Sequence, residues 1–209
     1  MAGLLSNFRN MMILSTILAI IMLIAFGSAH GIDGQFWQAV FRWMHVVFGI
    51  LWIGLLYYFN FVQIRKMPEI PAELRPAISK YIAPEALFWF RYAALMTVLA
   101  GFGIVGLHGS TYGAKVFTLG FAGGYDSSPS SPDHGYTLMG IGIYLALIMF
   151  LNVWGIIWPN QKIALGITEG DADAKAKAGR IAMLASRTNT LLSLPMLTSM
   201  AMYQTLYGS

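Results

Sequence analysis

The chain has 209 residues, 57% of them hydrophobic and 11% charged, with a mean hydropathy of +0.62. Soluble domains carry ~25% charged residues, so a water-dispersed globule is excluded and lipid is the solvent that suits this composition. The absence of cysteine excludes disulfides, thiolate metal sites, iron–sulfur clusters and a covalently attached c-type haem, and the net charge of +4 reads as membrane topology rather than nucleic-acid binding.

A membrane-crossing helix needs about 20 mostly apolar residues. Five segments meet that need, at 11–27, 36–62, 86–107, 136–158 and 189–207. They predict an all-α integral membrane protein, a single bundle of five transmembrane helices over residues 1–209. The first segment, with Arg9 before it and Gly27-Ser28-Ala29 after it, has the layout of a signal peptide but is read as an uncleaved anchor. The fifth contains Pro195, a predicted kink.

The loops set the orientation. Arg9, the loop with Arg65, Lys66, Arg75 and Lys80, and the loop with Lys162, Lys175, Lys177, Arg180 and Arg187 are predicted to be cytoplasmic by the positive-inside rule. The remaining loops, which carry Lys115 alone, and the C-terminus then face outward. Residues 171–187 place acids early and bases late, as a helix dipole favours, and predict a cytoplasmic lead-in helix to the fifth span. The Gly/Ser/Pro-rich stretch 120–135 predicts an irregular outer loop.

Ionisable residues inside a membrane are costly and mark candidate sites. His45, about nine residues or ~13 Å into the second span, is the histidine buried within a span. Arg42 lies three residues earlier on the same helix face. A histidine facing a bundle interior with an arginine one turn outward suits haem b, His45 on the iron and Arg42 on a propionate; the alternative is a histidine hydrogen-bonded to a neighbouring helix. His108, at the outer end of the third span, is the candidate second ligand, from a shallower depth. His30 and His134 also fall near the outer surface. Arg91 is read as snorkelling to headgroups or pairing with Glu85, and Asn60 and Asn152 as interhelical bridges.

Three stretches carry a family pattern. They are Arg42-Trp43-Met44-His45-Val46-Val47-Phe48-Gly49-Ile50-Leu51-Trp52-Ile53-Gly54, Asn152-Val153-Trp154 through Pro159-Asn160-Gln161-Lys162, and Ser186-Arg187-Thr188-Asn189 through Leu194-Pro195. In this order they resemble the N-terminal membrane domain of the bacterial membrane-bound urate oxidases, over the second to fifth spans. The family's histidine before Asn-x-x-x-x-Leu-Pro is Thr188 here, another falls near Gly140, and His45 matches a family histidine. The family's cytochrome c domain has no counterpart in these residues. The resemblance implies a bundle associated with electron transfer, without carrying over urate oxidation.

The expectation is therefore a multi-pass subunit of a respiratory or photosynthetic redox complex in the bacterial inner (cytoplasmic) membrane, structural rather than catalytic. Its partners would be other membrane subunits and lipids, with no nucleic acid. The alternatives are a b-type haem electron carrier using His45 and a membrane enzyme related to urate oxidation. A transporter is disfavoured, since five spans do not divide into inverted repeats.

Overall fold

The computed structural model describes residues 2–121 and 133–207. The centre of the Gly/Ser/Pro-rich loop, 122–132, lies outside the described residues. Within them every regular element is helical. After a single turn at Ala2–Leu5 come six helices: α1 (Phe8–His30), α2 (Gly34–Glu69), α3 (Arg75–Leu107), α4 (Ser110–Phe117), α5 (His134–Ala164) and α6 (Ala172–Leu206).

Four of these, α1, α2, α3 and α5, are long and apolar enough to cross a membrane. They run further than the sequence segments did, because the ends are set by caps and polar turns rather than by the last apolar residue. Asp33 accepts the Phe36 N–H at 3.0 Å to start α2, and Asp171 accepts the Ala174 N–H at 2.7 Å to start α6. The lead-in helix and the fifth apolar segment are one 35-residue helix that continues through Pro195.

α6 is central to the packing. Its buried residues are Ala178, Ala182, Ser186, Asn189, Ser193, Met196 and Ser199, every third or fourth position, so a stripe of small and polar side chains faces α5 and α2. Small residues let helix backbones approach closely in lipid, where apolar side chains gain nothing from leaving their surroundings. α2 and α3 pack antiparallel, with Phe59 edge-on to Phe90 at 5.6 Å. The apolar core joins Trp52, Leu56 and Phe59 of α2, Leu87 and Phe90 of α3, Met149 and Val153 of α5 and Met196 of α6.

Three stretches are wider helical turns, with backbone bonds from i+5 to i: Tyr58–Gln63 of α2, Ile78–Ile82 before Ala83 of α3, and Asn152–Ile157 of α5. Each inserts one extra residue, which re-aims the side chains beyond it. α4 lies against the N-terminal end of α5, where the chain turns through Leu119 (φ 55°) and Gly120 (φ 83°). α5 fixes this turn with side chains: Thr137 donates to the Leu119 carbonyl at 2.7 Å and Tyr144 to that of Phe117 at 2.6 Å.

Candidate functional site

His45 sits on the seam between α2 and α3. Its Nδ1 lies 2.8 Å from the Thr97 carbonyl. A carbonyl only accepts, so Nδ1 carries the proton and Nε2 holds the lone pair. Nε2 has no hydrogen-bond partner among the described residues. A Cβ at Gly101 would come within 3.2 Å of the His45 ring, so the absence of a side chain there gives the imidazole its place. A neutral imidazole whose Nδ1–H is fixed by a carbonyl and whose Nε2 is open has the geometry of a metal-ligating histidine.

Arg42 and His108 belong to a different cluster. His108 is exposed, bonds the Ile104 carbonyl through Nδ1 at 2.8 Å, and lies over the Tyr112 ring at 4.6 Å. Arg42, also exposed, lies close enough to Tyr112 to act on it electrostatically. Burial, together with a hydrogen bond to Tyr203, pushes the Tyr112 phenol well above its ordinary range. Tyr112 thus gathers Arg42, His108, Tyr136 and Tyr203 at the α4 end of the bundle. The carbonyls that hold His45 and His108 are seven residues apart on α3, about 10 Å of rise.

The other positions of the family pattern do not converge with His45. A Cβ on Gly140 would run into the Val116 carbonyl and come within 2.8 Å of Leu119, so no histidine fits there beside α4. Thr188 is exposed and bonds back to the Leu184 carbonyl at 3.1 Å. No group of three potential metal ligands from His, Cys, Asp and Glu occurs among the described residues.

The second and third motifs meet instead through their amides and hydroxyls. Asn152 of α5 donates to Asn189 of α6 at 2.9 Å, and Asn189 donates to the Met149 carbonyl at 2.9 Å. Asn60 of α2 donates to Ser186 at 2.8 Å and to the Leu56 carbonyl at 2.9 Å. Ser193 donates to the Thr190 carbonyl at 2.7 Å, so the Tyr57 hydroxyl donates to Ser193 at 3.0 Å. Asn60 and Asn152 therefore bridge helices as their amides suggested. The partners Ser186 and Asn189, and Ser193 opposite Tyr57, were not legible as such, although all three fall within the third motif and share one face of α6.

Arg91 is not paired with Glu85. It is buried against α5, and its guanidinium lies 3.4 Å from the centroid of the Trp158 ring. Glu85 accepts the Trp89 indole N–H at 2.8 Å rather than pairing with Arg91. Buried polar atoms without a partner occur at Trp52 Nε1, Asn60 Oδ1, Gln63 Oε1, Arg91 Nε and Trp154 Nε1. Comparison with protein-family models, with curated proteins and with solved structures gives no match to this chain.

Proposed function

We propose that this chain is a structural, non-catalytic subunit of a larger electron-transfer assembly in the bacterial cytoplasmic membrane. In this reading α6 is a fifth span despite its polar stripe, with the N-terminus and basic loops inside and the C-terminus outside. The observation that carries the assembly role is α1: 23 residues, apolar around its circumference, with none buried against the rest of the chain. Its side chains are free to pack on a neighbouring membrane subunit. The redox character rests on the resemblance of the three motifs to the urate oxidase membrane domain.

The His45 geometry favours a second reading, a b-type haem at the edge of the bundle. The fit is chemical: a neutral imidazole with Nδ1 anchored on Thr97 and Nε2 open would supply one axial ligand. Arg42, one turn outward and without an ion-pair partner among the described residues, would meet a propionate. His108, held on a carbonyl seven residues further along α3, would not join His45 in holding the group.

One preparation separates the readings: the chain isolated in mild detergent with whatever accompanies it, with oxidised and dithionite-reduced absorption spectra. A colourless chain that travels with a pigmented complex supports the structural subunit. Reduced b-type bands that stay with the chain after its partners are stripped, and vanish in His45→Ala, support the haem reading and overturn the non-catalytic one. A colourless chain that migrates alone overturns both.

A further inference from the structure

Arg91 is the buried cation among the described residues, with 8% of its surface exposed. Its guanidinium stacks on Trp158 of α5 and lies 5.8 Å from the Tyr92 ring, while its Nε is buried without a partner. Lys162, half-buried one turn beyond, places Nζ 5.8 Å from the same Trp158 ring. Trp154, one turn before Trp158 and in ring contact with Tyr92 at 5.8 Å, buries an indole N–H without a partner. The ion pair found among the described residues, Lys66–Glu69, is exposed and elsewhere. Two cations thus share the Trp158 ring, an indole donor lies one turn before it on α5, and among the described residues no carboxylate pairs with them.

Stacking on an aromatic face offsets part of the cost of burying a guanidinium but leaves its N–H donors unmet. What is missing is an acceptor with negative charge. The cluster lies toward the end of α5 that carries Lys162, next to the basic loop, where a membrane presents its headgroups. Beside it Phe88, Trp89, Tyr92 and Ile156 are exposed large apolar side chains, a surface that suits acyl chains rather than a free ion.

We infer that Arg91, Lys162 and Trp154 hold the phosphate of an anionic lipid headgroup, with the lipid tails lying along the exposed apolar side chains of α3 and α5. The site needs neither a haem nor a partner subunit, so it stands apart from both readings above.

The test uses the full chain in dodecyl maltoside, titrated with phosphatidylglycerol, phosphatidylcholine or inorganic phosphate. Native mass spectrometry follows bound lipid and tryptophan fluorescence follows the site. Phosphatidylglycerol should bind in preference to phosphatidylcholine, and Arg91→Gln should weaken it about ten- to a hundredfold, the loss of charge-assisted hydrogen bonds. Lys162→Gln should weaken it in the same direction, and it decides alone if Arg91→Gln fails to fold. Equal affinity for the two lipids, or unchanged phosphatidylglycerol binding in the variants, overturns the site. Inorganic phosphate that displaces the lipid at equal concentration assigns a free anion and overturns the lipid.

Discussion

Asn189→Leu tests whether the polar stripe of α6 holds the bundle together. Asn189 is fully buried, accepting from Asn152 and donating to the Met149 carbonyl, both at 2.9 Å. Leucine keeps the volume and removes both bonds. Interhelical hydrogen bonds in lipid contribute about 0.6 kcal/mol on average and at most ~1.7, so the two together give a loss of roughly 1–3 kcal/mol. The Asn152 amide and the Met149 carbonyl also lose a partner, which favours the upper half of that range. Unfolding is followed by tryptophan fluorescence as sodium dodecyl sulfate is titrated into dodecyl maltoside micelles. The Asn152→Leu, Asn189→Leu double variant should be less destabilised than the sum of the singles, with a coupling of about 0.6–1.7 kcal/mol. A single variant within ~0.3 kcal/mol of wild type, or no coupling, would refute the assignment of α6 as the bundle's polar spine.

Gly140→Ala should destabilise the packing of α4 on α5, because the added Cβ meets the Val116 backbone carbonyl, which cannot swing away as a side chain can. A loss of about 1–3 kcal/mol in the same titration, with faster amide exchange over residues 110–121, is the expected result. Asp33 caps α2, and the Phe36 N–H it accepts holds its carboxyl below the usual 3.8. A depressed carboxyl stabilises the fold above its unfolded pKa and loses that contribution as pH falls through the folded value. Amide protection at the start of α2, corrected for the intrinsic exchange rate, should therefore hold from neutrality down to about pH 4 and fall below it, and it should be lower in Asp33→Ala at neutral pH.

Much of this architecture follows from the sequence, because lipid forces backbone bonds to be satisfied within each helix. Hydropathy therefore locates α1, α2, α3 and α5 directly. α6 is harder, since Ser186, Asn189, Ser193 and Ser199 lower its apolarity while they face inward, and their burial depends on neighbours the local sequence does not name. The continuation of α6 back to Ala172 was legible from the charge order of its first turns. The wider turns at Tyr58–Gln63 and Asn152–Ile157 carry no local signal. They matter to the site because they set where Asn60 and Asn152 point. His45 was visible as a polar residue in an apolar run, but its anchoring on Thr97 needs the register of α2 against α3. Arg42 was assigned to His45 by spacing along one helix. Tyr112, brought up by the turn between α3 and α4, gives it another neighbour that helical periodicity cannot anticipate.

The contacts among the described residues set α1 apart from the other long helices. Tyr57 and Asn60 tie α2 to α6 through Ser193 and Ser186, and Asn152 ties α5 to α6 through Asn189. The His45 bond to Thr97 ties α2 to α3, so the four long helices after α1 are linked without it. α1 joins them through Gly31, at φ 114°, and the Asp33 cap, with Phe36 against Gly27 as the contact at the turn. A helix so attached adds little to the stability of the other four, yet it presents an apolar surface along its whole length. Contact with lipid by itself accounts for an apolar surface on every side, since polar side chains inside a membrane are costly. Selection for a neighbour would act on particular positions, and the half-buried Met11, Ala19, Leu23 and Gly27 already share one side of the helix, at spacings of four and eight. In the proposed assembly the opposite side of α1 is the face that would meet a neighbouring subunit, while the polar stripe of α6 ties the other long helices together.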